Sequence, residues 1–184
     1  MKQIKAISQG SASETVKATM ATIGKKLGRV PNMYQVMANS PAVLDAYVKF
    51  NGALSGGTLG SKMAELIALA TAESNTCTYC LSAHTYFGAK VGLTETQMLE
   101  GRTFHSQDEK TNIGLVFAKK MLETPKDLSA EDIEPLRSVG YTDGDILEIV
   151  ANVIRNIFTN SINIISETEV DWPVVVKPLI AELK

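Results

Sequence analysis

The sequence predicts an all-α protein, on three observations. Apolar residues recur at intervals of three and four along almost the whole chain. Helix-starting Ser, Thr and Asp residues alternate with Gly and Pro stops, and no useful stretch alternates apolar with polar residues as a half-buried strand does. At 184 residues, 45% of them apolar, the chain suits one substantial core, so a single domain over 1–184 is expected.

The elements follow in order. Ser11 and Glu14 have capping-box spacing and open a helix to about Leu27, which Gly28 ends. Pro31 sits in the first turn of a short helix over Asn32 to Ala38, and Ser40-Pro41 reads as an N-cap with Pro at the first helical position. The helix it starts carries Val43, Leu44, Tyr47, Val48 and Phe50 and ends near Ala53. The glycines of 54–60 lack the Gly-Lys-Ser/Thr order of a phosphate loop and follow no strand, so a connecting loop is expected. Ser61 caps a helix through about Asn75, and Thr76 caps another through about Lys90, with Gly92 beyond it. Thr94 and Gln97 open a short helix to about Gly101, and a polar linker from Thr103 to Asp108 follows. Glu109 to Leu122 carries Ile113, Val116, Phe117, Lys120 and Met121 at helical spacings before Pro125 breaks it. Ser129 to Val139 is helical and stops at Gly140. Thr142 caps the longest helix, to about Thr168, with Ile146, Ile149, Val150, Val153, Ile157 and Ile164 in period. Asp171 to Pro178 reads as extended packing.

Net charge is −2 and the longest basic run is Lys25-Lys26, so neither nucleic acid nor an anionic membrane is an expected partner. Met1 to Lys5 precedes no apolar signal core, and no stretch approaches the roughly 18 apolar residues of a membrane span. The expected location is the cytosol. There, two cysteines three positions apart point to catalysis or metal binding more than to a structural bridge.

The segment from Glu65 to His84 carries the chemistry. Cys80 follows Cys77 by three residues and His84 follows Cys80 by four, the two spacings that share a helix face. With the helix starting near Cys77, its unpaired N–H groups favour thiolate, and His84 lies one turn from Cys80 as a proton acceptor. Glu65, beside the apolar run Leu66 to Ala70, either reaches His84 from an antiparallel helix or faces solvent. A c-type haem would need His where Leu81 stands, and a thioredoxin-like domain would need βαβ context. Structural zinc would need four ligands from Cys77, Cys80, His84, His105 and carboxylates, three of them on one helix face. Inert core thiols are the remaining alternative. His105 reads as an exposed loop histidine; Asn160, Asn163 and Trp172 are candidates for the pocket lining or an oligomer contact, with packing the simpler account of Trp172.

The pattern Glu65-x11-Cys77-x2-Cys80-x3-His84 resembles the signature of the alkylhydroperoxidase D-like (AhpD-like) proteins of the carboxymuconolactone decarboxylase superfamily. Pro31-Asn32-Met33-Tyr34, Ala38-Asn39-Ser40-Pro41, the run from Cys80 to Thr85, Phe158-Thr159-Asn160 and the run from Thr168 to Pro173 resemble a peroxidase-related subgroup. The resemblance implies a multihelical AhpD-like fold that forms homo-oligomers and reduces a hydroperoxide without a cofactor or metal, using a thiol or dithiol reductant. It implies that Cys80 attacks the peroxide, Cys77 resolves the sulfenic acid, His84 accepts a proton and Glu65 polarises His84. The best-known members carry a second histidine where this chain has Tyr79. A phenol is a poor base at neutral pH, so the proton path or the reductant is expected to differ. Superfamily members that decarboxylate a lactone generally lack the cysteine pair, and its presence argues against that activity. The rivals are a thiol–disulfide oxidoreductase with little peroxidase activity and a metal-stabilised helical interaction protein.

Overall fold

A computed structural model describes residues 4–179. Residues 1–3 and 180–184, included in the expected single domain, lie outside the described residues, as does most of the N-terminal segment read for a signal. The described chain is all-α: α1 (Glu14–Leu27), α2 (Asn32–Met37), α3 (Pro41–Leu54), α4 (Ser61–Ser74), α5 (Thr78–Lys90), α6 (Glu95–Gly101), α7 (Glu109–Glu123), α8 (Ala130–Ser138) and α9 (Asp143–Ile165).

Helix α4 is the centre. From Leu66 to Glu73 every residue is buried, so this helix is enclosed on all sides. Its alanines, Ala68, Ala70 and Ala72, present little bulk to α5, α6, α7 and α9, which pack around it. Met63, Leu69, Leu81, Leu115, Leu136 and Ile149 form the heart of the larger apolar cluster. A second cluster, Val16, Met20, Ile23, Tyr34, Leu44 and Tyr47, joins α1, α2 and α3.

Several helix ends differ from the sequence-based expectation. Helix α1 is capped by Ser13, not Ser11, which falls in a short 3-10 turn; the Val16 N–H bonds the Ser13 hydroxyl at 3.4 Å. Pro31 precedes α2 instead of entering it, and the Asn32 N–H is satisfied by the Asp171 carboxylate from the tail at 2.9 Å. Gly60, not Ser61, stands at the start of α4. Thr76 is not a cap. It adopts a left-handed backbone, φ 54°, and closes a Schellman turn in which the Cys77 N–H bonds the Ala72 carbonyl and the Thr76 N–H the Glu73 carbonyl. Glu167 does the same after α9, so that helix ends at Ile165 and not near Thr168. Both positions lack the glycine that normally announces such a turn, as Gly92 does after α5.

The long helix turns the expected face inward as far as Val153 and then departs from it. Ile149 and Val153 are fully buried, but the same stripe continues as Asn156, Asn160 and Asn163, all buried, while Ile164 is 47% exposed. Val116 on α7 is likewise exposed beside a buried Phe117. The tail from Asp171 is extended, as expected. It is strapped down by the Glu73 carboxylate, which accepts from the Leu179 N–H at 2.6 Å and pairs with Arg102 at 2.7 Å. The Val176 N–H also donates to the Ser82 hydroxyl at 2.9 Å.

Three caps carry a pH dependence. Asp108 is held below the usual carboxylate range by the Thr111 N–H, Asp132 by Lys120 and the Ser129 N–H, and Asp145 by the Thr58 and Thr142 hydroxyls. A carboxyl with a depressed folded pKa stabilises fully above its unfolded value, near ~3.9, and loses that contribution as pH falls through the folded value. Urea melts are therefore expected to show level contributions from these caps at neutral pH and a decline below about pH 4. Asp145→Asn should make that acid slope shallower; an unchanged slope would remove Asp145 from the account.

Candidate functional site

The Schellman turn at Thr76 folds α5 back against α4, antiparallel and without a linker. Cys77 then becomes the N-cap of α5, its sulfur accepting the Cys80 N–H at 3.3 Å. Cys80 lies in the first turn of that helix. The two sulfurs form a disulfide, with Cα atoms 5.3 Å apart, and both residues are buried. The left-handed Thr76 immediately precedes them, a sparsely populated conformation for a β-branched residue.

One turn on, His84 Nδ1 lies 2.8 Å from Glu65 Oε2, the two side chains 18% and 17% exposed. Of the two expectations for Glu65, solvent or His84, the geometry places it on His84. An ionised carboxylate only accepts, so Nδ1 carries the proton and Nε2 is left as the basic nitrogen.

Cys80, His84 and Glu65 line one cavity of about 280 Å³; Cys77 does not. Segments far apart in the chain complete the wall: Pro31, Met33 and Tyr34 from α2 and its approach, Tyr47 and Asn51 from α3, Arg155, Asn156, Thr159 and Asn163 from α9, and Trp172 from the tail. The Asn163 amide donates to Cys80 Sγ at 3.4 Å, while its buried oxygen has no partner. Trp172 packs edge-on to Phe87 at 5.0 Å and lies 5.5 Å from Tyr86, with the Arg29 guanidinium 4.6 Å from its ring centroid. The expectation of packing for Trp172 is met, and the same ring is also a wall of the cavity.

Tyr79 lines the cavity, its hydroxyl accepting the Met33 N–H at 3.4 Å. Burial, with the Asp171 carboxylate beside it, pushes this phenol far above its ordinary value. Its hydroxyl joins α5 to the start of α2. His105 is an exposed loop residue away from the cavity. Asn160 does not line it either; its oxygen accepts from Asn75 at 3.0 Å and ties α9 to the end of α4. Among the described residues no three His, Cys, Asp or Glu side chains gather as a metal site would require. No helix among them is long and apolar enough to cross a membrane.

Sequence reasoning missed Arg155, Asn156, Tyr34 and Tyr47 as cavity residues. A signal existed for those on α9. The apolar stripe Ile149–Val153 continues in register as Asn156–Asn160–Asn163, at spacings of three and four. Polar residues inheriting a core stripe mark a place where a helix stops facing core and starts facing a site. Tyr34 and Tyr47 carried no such mark, since aromatic residues on an amphipathic helix are ordinary core.

Residues 41–104 match the model of the carboxymuconolactone decarboxylase family. No protein of curated function matches the chain. Among solved structures, an alkylhydroperoxidase AhpD core, an uncharacterised peroxidase-related protein from Ralstonia eutropha JMP134, is 21% identical with a TM-score of 0.84, covering 92% of each chain. A peroxidase-related protein from Silicibacter sp. TM1040 is 24% identical with a TM-score of 0.79, covering 91% of this chain and 92% of that one. The debrominase Bmp8, bound to 2,3,4-tribromopyrrole, is 18% identical with a TM-score of 0.76, covering 93% of this chain and 92% of that one. The matched residues 41–104 include the motif-bearing hairpin, and the fold around it is shared over about nine tenths of the chain. Part of the chain thus matches the carboxymuconolactone decarboxylase family model, and the whole has the fold of AhpD-like structures.

Proposed function

We propose that this protein is a peroxidase that reduces a hydroperoxide through Cys80, with Cys77 resolving and His84 and Glu65 moving the proton. The observation that carries the reading is that Cys80, and not Cys77, opens onto the cavity shared with the His84–Glu65 pair. A fold shared with a debrominase as well as with peroxidase-related proteins does not choose the oxidant, so the argument rests on the site.

In the reduced protein, His84 Nε2 takes the Cys80 proton. The thiolate attacks the outer peroxide oxygen; an S–O bond forms, the O–O bond breaks, and the alkoxide leaves as alcohol with the proton from His84. Cys77 then attacks the Cys80 sulfenic acid, closing the disulfide and releasing water. A dithiol supplies the two electrons and two protons that reopen it. Both sulfurs are buried, which favours a small dithiol over a folded protein as reductant and a small peroxide over a protein disulfide as substrate.

The test uses the fully reduced protein and one equivalent of an organic hydroperoxide, with analysis by mass spectrometry. Formation of the Cys77–Cys80 disulfide with one equivalent of alcohol is expected; survival of both thiols sinks the reading. Self-association belongs to the same proposal. Leu147, Ile154, Phe158 and Ile165 leave an exposed apolar stripe along α9, which a second copy would cover. Analytical ultracentrifugation should give a mass above that of one 19.9 kDa chain.

A further inference from the structure

We propose that Arg155 makes one end of the cavity a carboxylate-binding subsite, so that the preferred hydroperoxide is an organic one with a carboxylate on the order of 10 Å from its reacting group. The substrate identity rests on the peroxidase reading; the anion subsite does not.

Arg155 lines the cavity and is only 8% exposed, yet among the described residues it makes no ion pair. Its one hydrogen bond among them runs from Nη1 to Asn51 Oδ1, 3.1 Å away. A guanidinium does not shed its proton, and it offers five N–H donors in a planar fork. Holding such a cation out of water with a single amide partner is costly unless something else fills the fork. A carboxylate fits it with two parallel hydrogen bonds.

The cavity contains no competing anion. Its single acidic side chain, Glu65, is already engaged by His84 at 2.8 Å. Its other lysine or arginine is Lys26, which is exposed. Burial raises the Tyr34 and Tyr47 phenols, and the Arg155 charge pulls both back, so that charge is felt within the wall. Leu54, Met33, Phe87 and the two tyrosine rings add apolar wall to the same cavity.

The length follows from α9. Arg155 stands eight residues before Asn163, whose amide touches Cys80 Sγ at 3.4 Å. Eight residues of helix rise about 12 Å. A molecule held by its carboxylate at Arg155 would therefore present its other end to the sulfur.

The test separates binding from turnover. Trp172, the chain's one tryptophan, lies on the cavity wall and reports occupancy by fluorescence. Octanoate and methyl octanoate, both redox-inert, serve as probes. The native protein is expected to bind octanoate at least about tenfold more tightly than the ester. Arg155→Gln should erase that preference, Arg155→Lys should keep part of it, and Lys26→Gln should leave it intact. Equal affinities in the native protein, or no binding of either probe, overturn the subsite, as does a preference that survives Arg155→Gln. Circular dichroism checks the fold of each variant; if Arg155→Gln does not fold, the acid–ester comparison and Arg155→Lys still decide. In turnover, a carboxylated hydroperoxide should show the lower KM against its methyl ester. Octanoate discrimination without any peroxide reduction leaves the subsite standing and removes the peroxidase reading; peroxide reduction without discrimination does the reverse.

Discussion

Replacing Cys80 with serine is expected to lower peroxide turnover by at least about 10³-fold, roughly 4 kcal/mol of transition-state stabilisation. Cys77→Ser should instead consume one equivalent of peroxide and stop, leaving a Cys80 sulfenic acid that a 1,3-diketone traps for mass spectrometry. The pair of experiments decides between two assignments that local physics does not separate. The Cys80 N–H points at Cys77 Sγ, so the start of α5 alone would favour a Cys77 thiolate. Access favours the other sulfur. Cys80 faces the cavity and the Asn163 amide, whereas Cys77 is enclosed. If Cys80→Ser retains the stoichiometric reaction and Cys77→Ser loses it, the roles are reversed and the helix terminus has outweighed access.

The second large effect is expected at Glu65. Glu65→Gln preserves shape but places an amide that donates as readily as it accepts at His84 Nδ1. The imidazole can then carry its proton on Nε2, where the base is needed. A fall in kcat/KM of about 10²–10⁴ is expected, chiefly in kcat, because the substrate contacts are untouched. A thermal melt should show the fold intact. The distinguishing readout is the pH profile of kcat/KM, whose ascending limb should move or vanish in Glu65→Gln and in His84→Ala. A Glu65→Gln protein with native activity and a native profile would reduce the pair to a packing contact.

Much of the site was legible because it is local. The spacings of Cys77, Cys80 and His84 put them on one stripe of a helix whatever surrounds it, since each residue turns by a fixed angle. The caps at Ser40, Thr94 and Thr142 were legible for the same reason: a hydroxyl reaches an N–H three residues ahead without help from elsewhere. Thr76 and Glu167 were not legible. Their left-handed turns run against the preference of the residue itself and are closed by backbone hydrogen bonds to the preceding helix. Cys77 as a cap was equally unmarked, because a thiol is a weak acceptor.

By itself, then, the sequence determined that the chain is helical and that Cys77, Cys80 and His84 share one helix face, since periodicity and capping act over a few residues. Only the tertiary structure decided that Glu65 meets His84, that Cys80 rather than Cys77 meets the cavity, and that an unpaired Arg155 lies in the same wall. Those facts depend on contacts between α4, α5, α3 and α9, up to a hundred residues apart, such as Asn51 with Arg155. Which face of a helix meets which neighbour is set by how all the apolar surfaces are buried together, and no short window of sequence contains that information.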